Sequence, residues 1–263
     1  MGVPRCRFAP RLLGAAALTV LAGCGALVLV APARPSLQGR SNWVLAAALP
    51  TRADFPPDWN YSVGGTLGGA TPPTPVPPSP PDPAYARPVY TPPACGDLPK
   101  LLSGLGRYAA YVSVDRITDP LWIATAAGAD ASATGETDNA GPAAHFMIWA
   151  VADAPTLIAE YRAWLTRCGS YHVTAHDLPD QARHDRAATT VIDADPVTDA
   201  DAAIAVTRSF VATDDGDTTS STHHVSYFAV RGLLLEATTT MDGGDVDLVA
   251  RLAAQTVWKL HAL

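Results

Sequence analysis

The sequence predicts an α+β fold in which an antiparallel β-sheet packs against helices and one disulfide ties the two together. Three observations predict it. Strand-like segments follow one another without regular helical crossovers. Two amphipathic stripes at helical spacing stand near 153–168 and 245–260. Two cysteines, Cys95 and Cys168, remain as an even pair beyond the N-terminal leader.

The leader sets the compartment. Arg5, Arg7 and Arg11 precede a run from Leu12 to Ala31 that carries no charge. A basic head before an apolar run of roughly 20 residues is an export signal or a membrane anchor, and it leaves the rest of the chain facing outward. Within it, Leu21-Ala22-Gly23-Cys24 matches the bacterial lipobox, which makes Cys24 the expected site of lipid attachment. Two other fates stay open. Ala31-Pro32-Ala33 offers an A-x-A cut that leaves Arg34 first, and an uncleaved run would serve as a signal anchor. Residues 1–33 are thus read as signal peptide with lipobox or as membrane anchor, and 34–263 as a single exported domain.

Composition bounds the classes. Hydrophobic content of 48% with 16% charged residues supports a packed core. The formal charge is −7, and removing 1–23, with its three Arg and no acid, gives −10. An acidic exported domain is poorly suited to nucleic acid, which is excluded as a partner. Cys95 and Cys168 lie where disulfides persist, and neither belongs to the C-x-x-C pair that zinc ligation commonly uses.

The elements follow in order. The stretch LPTRADFPPDWNYSV carries Leu49, Phe55, Trp59, Tyr61 and Val63, apolar residues that need burial. Residues 71–93 then hold eleven prolines, too many for a ladder or a helix, so they read as a polyproline loop or spacer. Asp97 is placed to cap a short helix from Leu98. Asp153 caps a longer one, on which Leu157, Ile158, Tyr161, Leu165 and Cys168 share a face and Gly169 marks the stop. The last helix begins near Asp245, with Val246, Val249, Ala253, Val257 and Leu260 as its stripe.

Between the helices, HFMIWAV at 145–151 is apolar on both faces, as a central strand is. In 171–176, Tyr171, Val173 and Ala175 alternate with His172, Thr174 and His176. Further strands are expected at Leu121–Ala126, Ala188–Ile192 and Ile204–Ala212, and Arg231-Gly232 reads as the turn of a hairpin joining Val225–Val230 to Leu233–Thr240.

No catalytic or cofactor motif stands out. His172, His176, His223 and His224 fit exposed strand positions better than a zinc site, and no metal or cofactor is expected. The acidic stretches 193–201 and 214–217 lack the spacing of a calcium loop and read as turns. No Walker loop, G-x-S-x-G or H-E-x-x-H occurs. Trp122, Trp149, Trp164 and Trp258 are read mostly as core: Trp149 lies in the central strand, Trp164 and Trp258 beside the helical stripes. A pocket for a lipid or glycan is their other use.

The helix after Cys95, the helix ending in Trp164-x-x-x-Cys168, the hairpin at Val230-Arg231-Gly232 and the terminal helix together resemble a known arrangement. It is that of the extracellular sensor domains of PknH-type mycobacterial receptor kinases and of related exported and lipoprotein domains without a kinase. The resemblance covers 95–263 best, and LPTRADFPPDW looks like the opening of some of those lipoproteins. Cys95 and Cys168 match the half of the family framework that ties two helices. No cysteines remain here for the second disulfide typical of the kinases. The resemblance implies an α+β fold with a cleft for a cell-envelope ligand, and it supplies no catalytic residues. The expectation is therefore a non-enzymatic, sensor-like lipoprotein domain that meets an envelope lipid, glycan or protein. A secreted hydrolase and a protein-interaction scaffold are its alternatives.

Overall fold

Nine strands form a single sheet in which every neighbouring pair runs antiparallel, in the order β1-β3-β4-β9-β8-β7-β6-β5-β2. The computed structural model describes residues 34–64, 88–106, 108–116, 142–151, 153–176, 183–194, 196, 198–214 and 217–263. The strands are β1 Asn60–Gly64, β2 Val89–Thr91, β3 Ala110–Asp115, β4 Ala143–Ala150, β5 Ser170–His176, β6 Arg183–Ile192, β7 Ala202–Asp214, β8 Asp217–Val230 and β9 Leu233–Thr239. The described helices are α1 Asn42–Ala46, α2 Lys100–Ser103, α3 Ala154–Cys168 and α4 Gly244–Ala262. This is the expected α+β class. The lipobox cysteine Cys24, Trp122, the strand expected at Leu121–Ala126 and most of the proline-rich stretch lie outside the described residues.

The sheet is covered on both faces by different parts of the chain. On one face Val112, Val114, Phe146, Ile148, Phe228, Val230, Leu233 and Leu235 pack against Val249, Leu252, Ala253, Val257 and Leu260 of α4. Leu37, Leu45, Leu49, Phe55 and Trp59 from the N-terminal segment complete that core, with the Phe55 and Trp59 rings stacked at 5.9 Å. The opposite face buries Trp149, Ile204, Val206, Phe210, Val225, Tyr227 and Leu234 beneath α3 and beneath Leu98, Leu101, Leu102, Leu105 and Tyr108. Alternation along each strand sends neighbouring residues to opposite cores, so β4, β8 and β9 are apolar on both sides.

α3 forms where its caps and stripe dictate. Asp153 accepts a hydrogen bond from the Thr156 amide at 3.4 Å, Pro155 sits in the first turn, and the helix ends before Gly169. Its buried residues are Ala154, Ile158, Tyr161, Trp164, Leu165 and Cys168. The helix after Cys95 differs from the expectation. Residues Pro93–Gly96 make a 3-10 turn, and α2 starts at Lys100 behind Pro99, with Asp97 outside it. Pro99 takes the N-cap place with extended backbone, so the helix starts two residues later than a cap at Asp97 would give.

The chain between β1 and β2 joins the two opposite edges of the one sheet. Eight strand-to-strand steps of about 4.8 Å put those edges roughly 38 Å apart. The 24 residues 65–88, most of the proline-rich stretch among them, reach ~75 Å when extended, ample for that crossing. Residues Arg34–Leu263 make up one compact unit.

Two fixtures tie sheet to covers. Cys95 and Cys168 are joined by a disulfide across 73 residues, and both are buried. The hairpin turn places Arg231 at φ 50° and Gly232 at φ 81°, the backbone that a two-residue turn of the tight hairpin type requires. Arginine is an unusual occupant of that conformation, and its hydrogen bonds explain it. Its side chain donates to the carbonyls of Pro35 at 2.9 Å, His261 at 3.1 Å and Leu260 at 3.4 Å, while its amide donates to Asp201 at 2.7 Å. One guanidinium thus caps the last turn of α4 and holds the N-terminal segment on the domain.

Opening the disulfide with Cys95→Ala and Cys168→Ala should cost about 4 kcal/mol by the chain-entropy argument, read as a lower guanidinium midpoint. Arg231→Ala should keep the sheet but release the segment it holds. Hydrogen exchange checks this, since the Leu37 amide bonded to Arg231 O should lose protection before those of β4 and β9.

Candidate functional site

On the α3 face, the upper half of the sheet is left polar. The strand register lays out its floor row by row. One row runs Tyr111, Met147, Glu236, Tyr227 and Ile204 across β3, β4, β9, β8 and β7. The next runs Ser113, His145, Thr238, Val225 and Val206. Above it His223 pairs with Arg208, which lies over the Phe210 ring with its guanidinium carbon 4.9 Å from the centroid. Tyr111, Ser113, His145, Met147, Glu236, Thr238, His223 and Arg208 are all half-buried, so the patch is recessed yet reachable by solvent. α3 walls one side and presents Tyr161 and Trp164, whose rings meet Tyr227 and Tyr171 edge-on at 5.9 and 5.5 Å.

The chemistry centres on Glu236. It sits in the strand LLLEATT on the same face as Leu234, where alternation demands a buried side chain. Burial pushes its carboxyl up to about 7, against the opposing pull of the Arg208 guanidinium. Among the described residues no group hydrogen-bonds it. Across the basin the Tyr161 hydroxyl is fully buried and has no described partner. Burial pushes that phenol up to about 12, opposed by Arg208 and reinforced by Tyr171 and Glu236. The Tyr227 phenol between them is likewise raised by burial and by Glu236. The indole nitrogens of Trp149 and Trp164 are also buried without a described partner. Unsatisfied buried donors are uncommon, and three of them on the face that also buries Glu236 call for an explanation other than packing.

At the rim, the Tyr111 hydroxyl and His145 Nδ1 share a 3.0 Å hydrogen bond with their rings stacked at 5.9 Å, and Tyr108 lies 5.4 Å from Tyr111. Burial lowers the His145 pKa, opposed by Asp115, so that imidazole is neutral at pH 7. A second, apolar hollow of about 490 Å³ runs along α3 between Ile158, Ala159, Ala163 and the start of β7 at Ala202 and Ala203. It has no comparable set of polar groups.

The residues singled out from sequence separate clearly. His172 is exposed on β5, on the face away from α3, and His224 shares that face, hydrogen-bonded to Thr207 Oγ1 at 3.1 Å. His223 points into the basin, so neighbours 223 and 224 do face opposite ways, and His176 ends β5. Among the described residues no three His, Cys, Asp or Glu side chains gather as a metal site. Trp149 and Trp164 are core, as expected, but Trp258 is 67% exposed. It follows the buried Val257 by one position, and a rotation of about 100° carries it off the stripe. Trp59 is buried, and Trp43 is 66% exposed. Glu236, Arg208, His145 and Tyr111 were not singled out. The available signal was a lone carboxylate in a strand otherwise apolar on both faces.

No family model matches the chain, and no curated protein matches it significantly. Among solved structures, it is similar to the extracellular domain of PknH from Mycobacterium tuberculosis. The TM-score is 0.43 at 10% sequence identity, covering 85% of this chain and 97% of that one. At that score the likeness is one of general arrangement and assigns neither ligand nor activity. No helix among the described residues is long and apolar enough to cross a membrane.

The carboxyl makes a prediction with a definite sign. Below about pH 4.5 Glu236 is protonated in both folded and unfolded chains and costs nothing. Between 4.5 and about 7 the unfolded chain ionises first, so stability falls as pH rises, and above 7 the penalty is complete. With partial solvent contact the loss is on the order of 2 kcal/mol. Glu236→Gln should therefore be more stable than the parent at pH 8 by roughly that amount and nearly equal at pH 4, measured by urea unfolding.

Proposed function

We propose that the protein is a non-enzymatic, sensor-like ligand-binding domain, held by a lipid on Cys24 at the outer face of the cytoplasmic membrane, with the basin as its binding site. The basic head, apolar run and lipobox support the address. The observation that carries the function is the buried Tyr161 hydroxyl, without a partner among the described residues, near the half-buried Glu236 carboxyl beneath a helix tied down by the disulfide.

A hydrolase would also use a carboxyl with a raised pKa, as a general acid. Glycoside hydrolysis needs a second carboxyl a few ångströms away. The cross-strand neighbours of Glu236 are Met147 and Tyr227, which supply none. Those neighbours support the binding reading over a two-carboxylate hydrolase.

Native mass spectrometry of the protein, purified gently from an actinobacterial host, tests the reading. A discrete extra mass that denaturation releases is expected. Tyr161→Phe, which removes one oxygen and keeps the packing, should reduce its occupancy severalfold. A bare parent protein under conditions that preserve weak complexes would overturn the assignment of this basin as a ligand site.

A further inference from the structure

The chemistry of the basin narrows the class of ligand. Its polar groups comprise one carboxyl, one guanidinium and several hydroxyls. The Glu236 carboxylate is an acceptor, and the Arg208 guanidinium, whose field reaches it, carries the opposite charge. The Tyr161, Ser113 and Thr238 hydroxyls serve either way. A cationic ligand drawn to Glu236 would meet Arg208, whose field already reaches that carboxyl. An anionic ligand drawn to Arg208 would meet Glu236 as well as the acidic surroundings of a chain of net charge −7. Either charge would be bound by one half of the floor and repelled by the other.

A neutral hydroxyl-bearing ligand fits both halves together. Each hydroxyl donates one hydrogen bond and accepts another, so one group can give to Glu236 while a neighbour accepts from Tyr161. The rim adds an apolar surface. Tyr108 and Tyr111 are half-buried with their rings tilted at 36° and 5.4 Å apart, and aromatic rings of this kind suit the C–H face of a saturated ring. We infer that the basin binds a neutral saccharide, with Glu236 and Tyr161 as its paired acceptor and donor and Tyr111 as its stacking surface. This inference rests on the reading of the basin as a ligand site.

Three disaccharides of one ring skeleton test it: cellobiose, which is neutral; chitobiose, which carries two ammonium groups; and cellobiouronic acid, which carries a carboxylate. Each is titrated into the mature protein while the backbone amide resonances of His145, Glu236 and Thr238 are followed by NMR. Cellobiose should shift all three amides saturably and bind at least fivefold more tightly than either charged sugar. Tyr161→Phe should weaken cellobiose two- to tenfold, the worth of one hydrogen bond, with the spectrum otherwise preserved. Tighter binding of either charged sugar would overturn the neutral class yet leave the basin standing as a ligand site. Amides unmoved by all three sugars would overturn the saccharide inference, and a bare native mass alongside would remove the ligand site with it.

Discussion

A sheet apolar on both faces must be covered on both, and this one is covered unequally. β4, β9 and β8 send Phe146, Ile148, Phe228 and Leu235 one way and Trp149, Leu234 and Tyr227 the other. α4 and the N-terminal segment answer the first demand, and α3 with the arch from Leu98 to Tyr108 answers the second. Each cover is short against nine strands. α3, at 15 residues and about 1.5 Å per residue, is ~22 Å long, whereas the sheet is roughly 38 Å wide. Among the described residues α2 and α3 are the helices on this face, and beyond them the sequence turns from Leu and Val to Glu236, Thr238, His145, His223 and Arg208.

The same constraint explains the two fixtures. A cover that leaves part of a face open is easily shifted, and the disulfide fixes the C-terminal end of α3 to the turn that leads into α2. On the other face Arg231 does the equivalent work by hydrogen bonds, tying the hairpin turn, the end of α4 and Pro35 into one knot. Its left-handed backbone costs on the order of 1 kcal/mol, a charge that several hydrogen bonds from a guanidinium offset.

Much of this architecture was legible in the sequence because it follows from periodicity. The stripes of α3 and α4, the doubly apolar β4 and the hairpin at Arg231-Gly232 each carry their own local pattern, and Cys95 and Cys168 were the pair left once the leader was set aside. The two edge strands carried no such pattern. β1, NYSVG, and β2, VYT, are held by pairing with β3 and β5, a long-range matter that a local window does not contain. The basin was illegible for a related reason. Tyr111, His145, Glu236 and Tyr161 are scattered over 125 residues, and only the register of β3, β4 and β9 brings the first three into neighbouring rows. The sequence does hold one trace of it, since a carboxylate two positions after Leu234 breaks the rule that keeps that face apolar.

That breach is the strongest reason to connect the basin with function. Leucine at position 236 would pack against Met147 and Tyr227 without desolvating a charge. Marginally stable domains gain from such a change unless something else retains the polar group. A structural role would show as a satisfied network, with the carboxylate bonded to the phenols or to Arg208, because half-satisfied buried networks are worse than apolar ones. Here the Tyr161 hydroxyl is buried without a partner among the described residues and lies close enough to Glu236 for that carboxyl to raise its pKa, while the buried threonines of the opposite core are satisfied: Thr239 donates to Ala143 O and Thr256 to Leu252 O. The two buried threonines of the opposite core are thus satisfied, whereas on the α3 face the Tyr161 hydroxyl and the Trp149 and Trp164 indoles have no partner among the described residues.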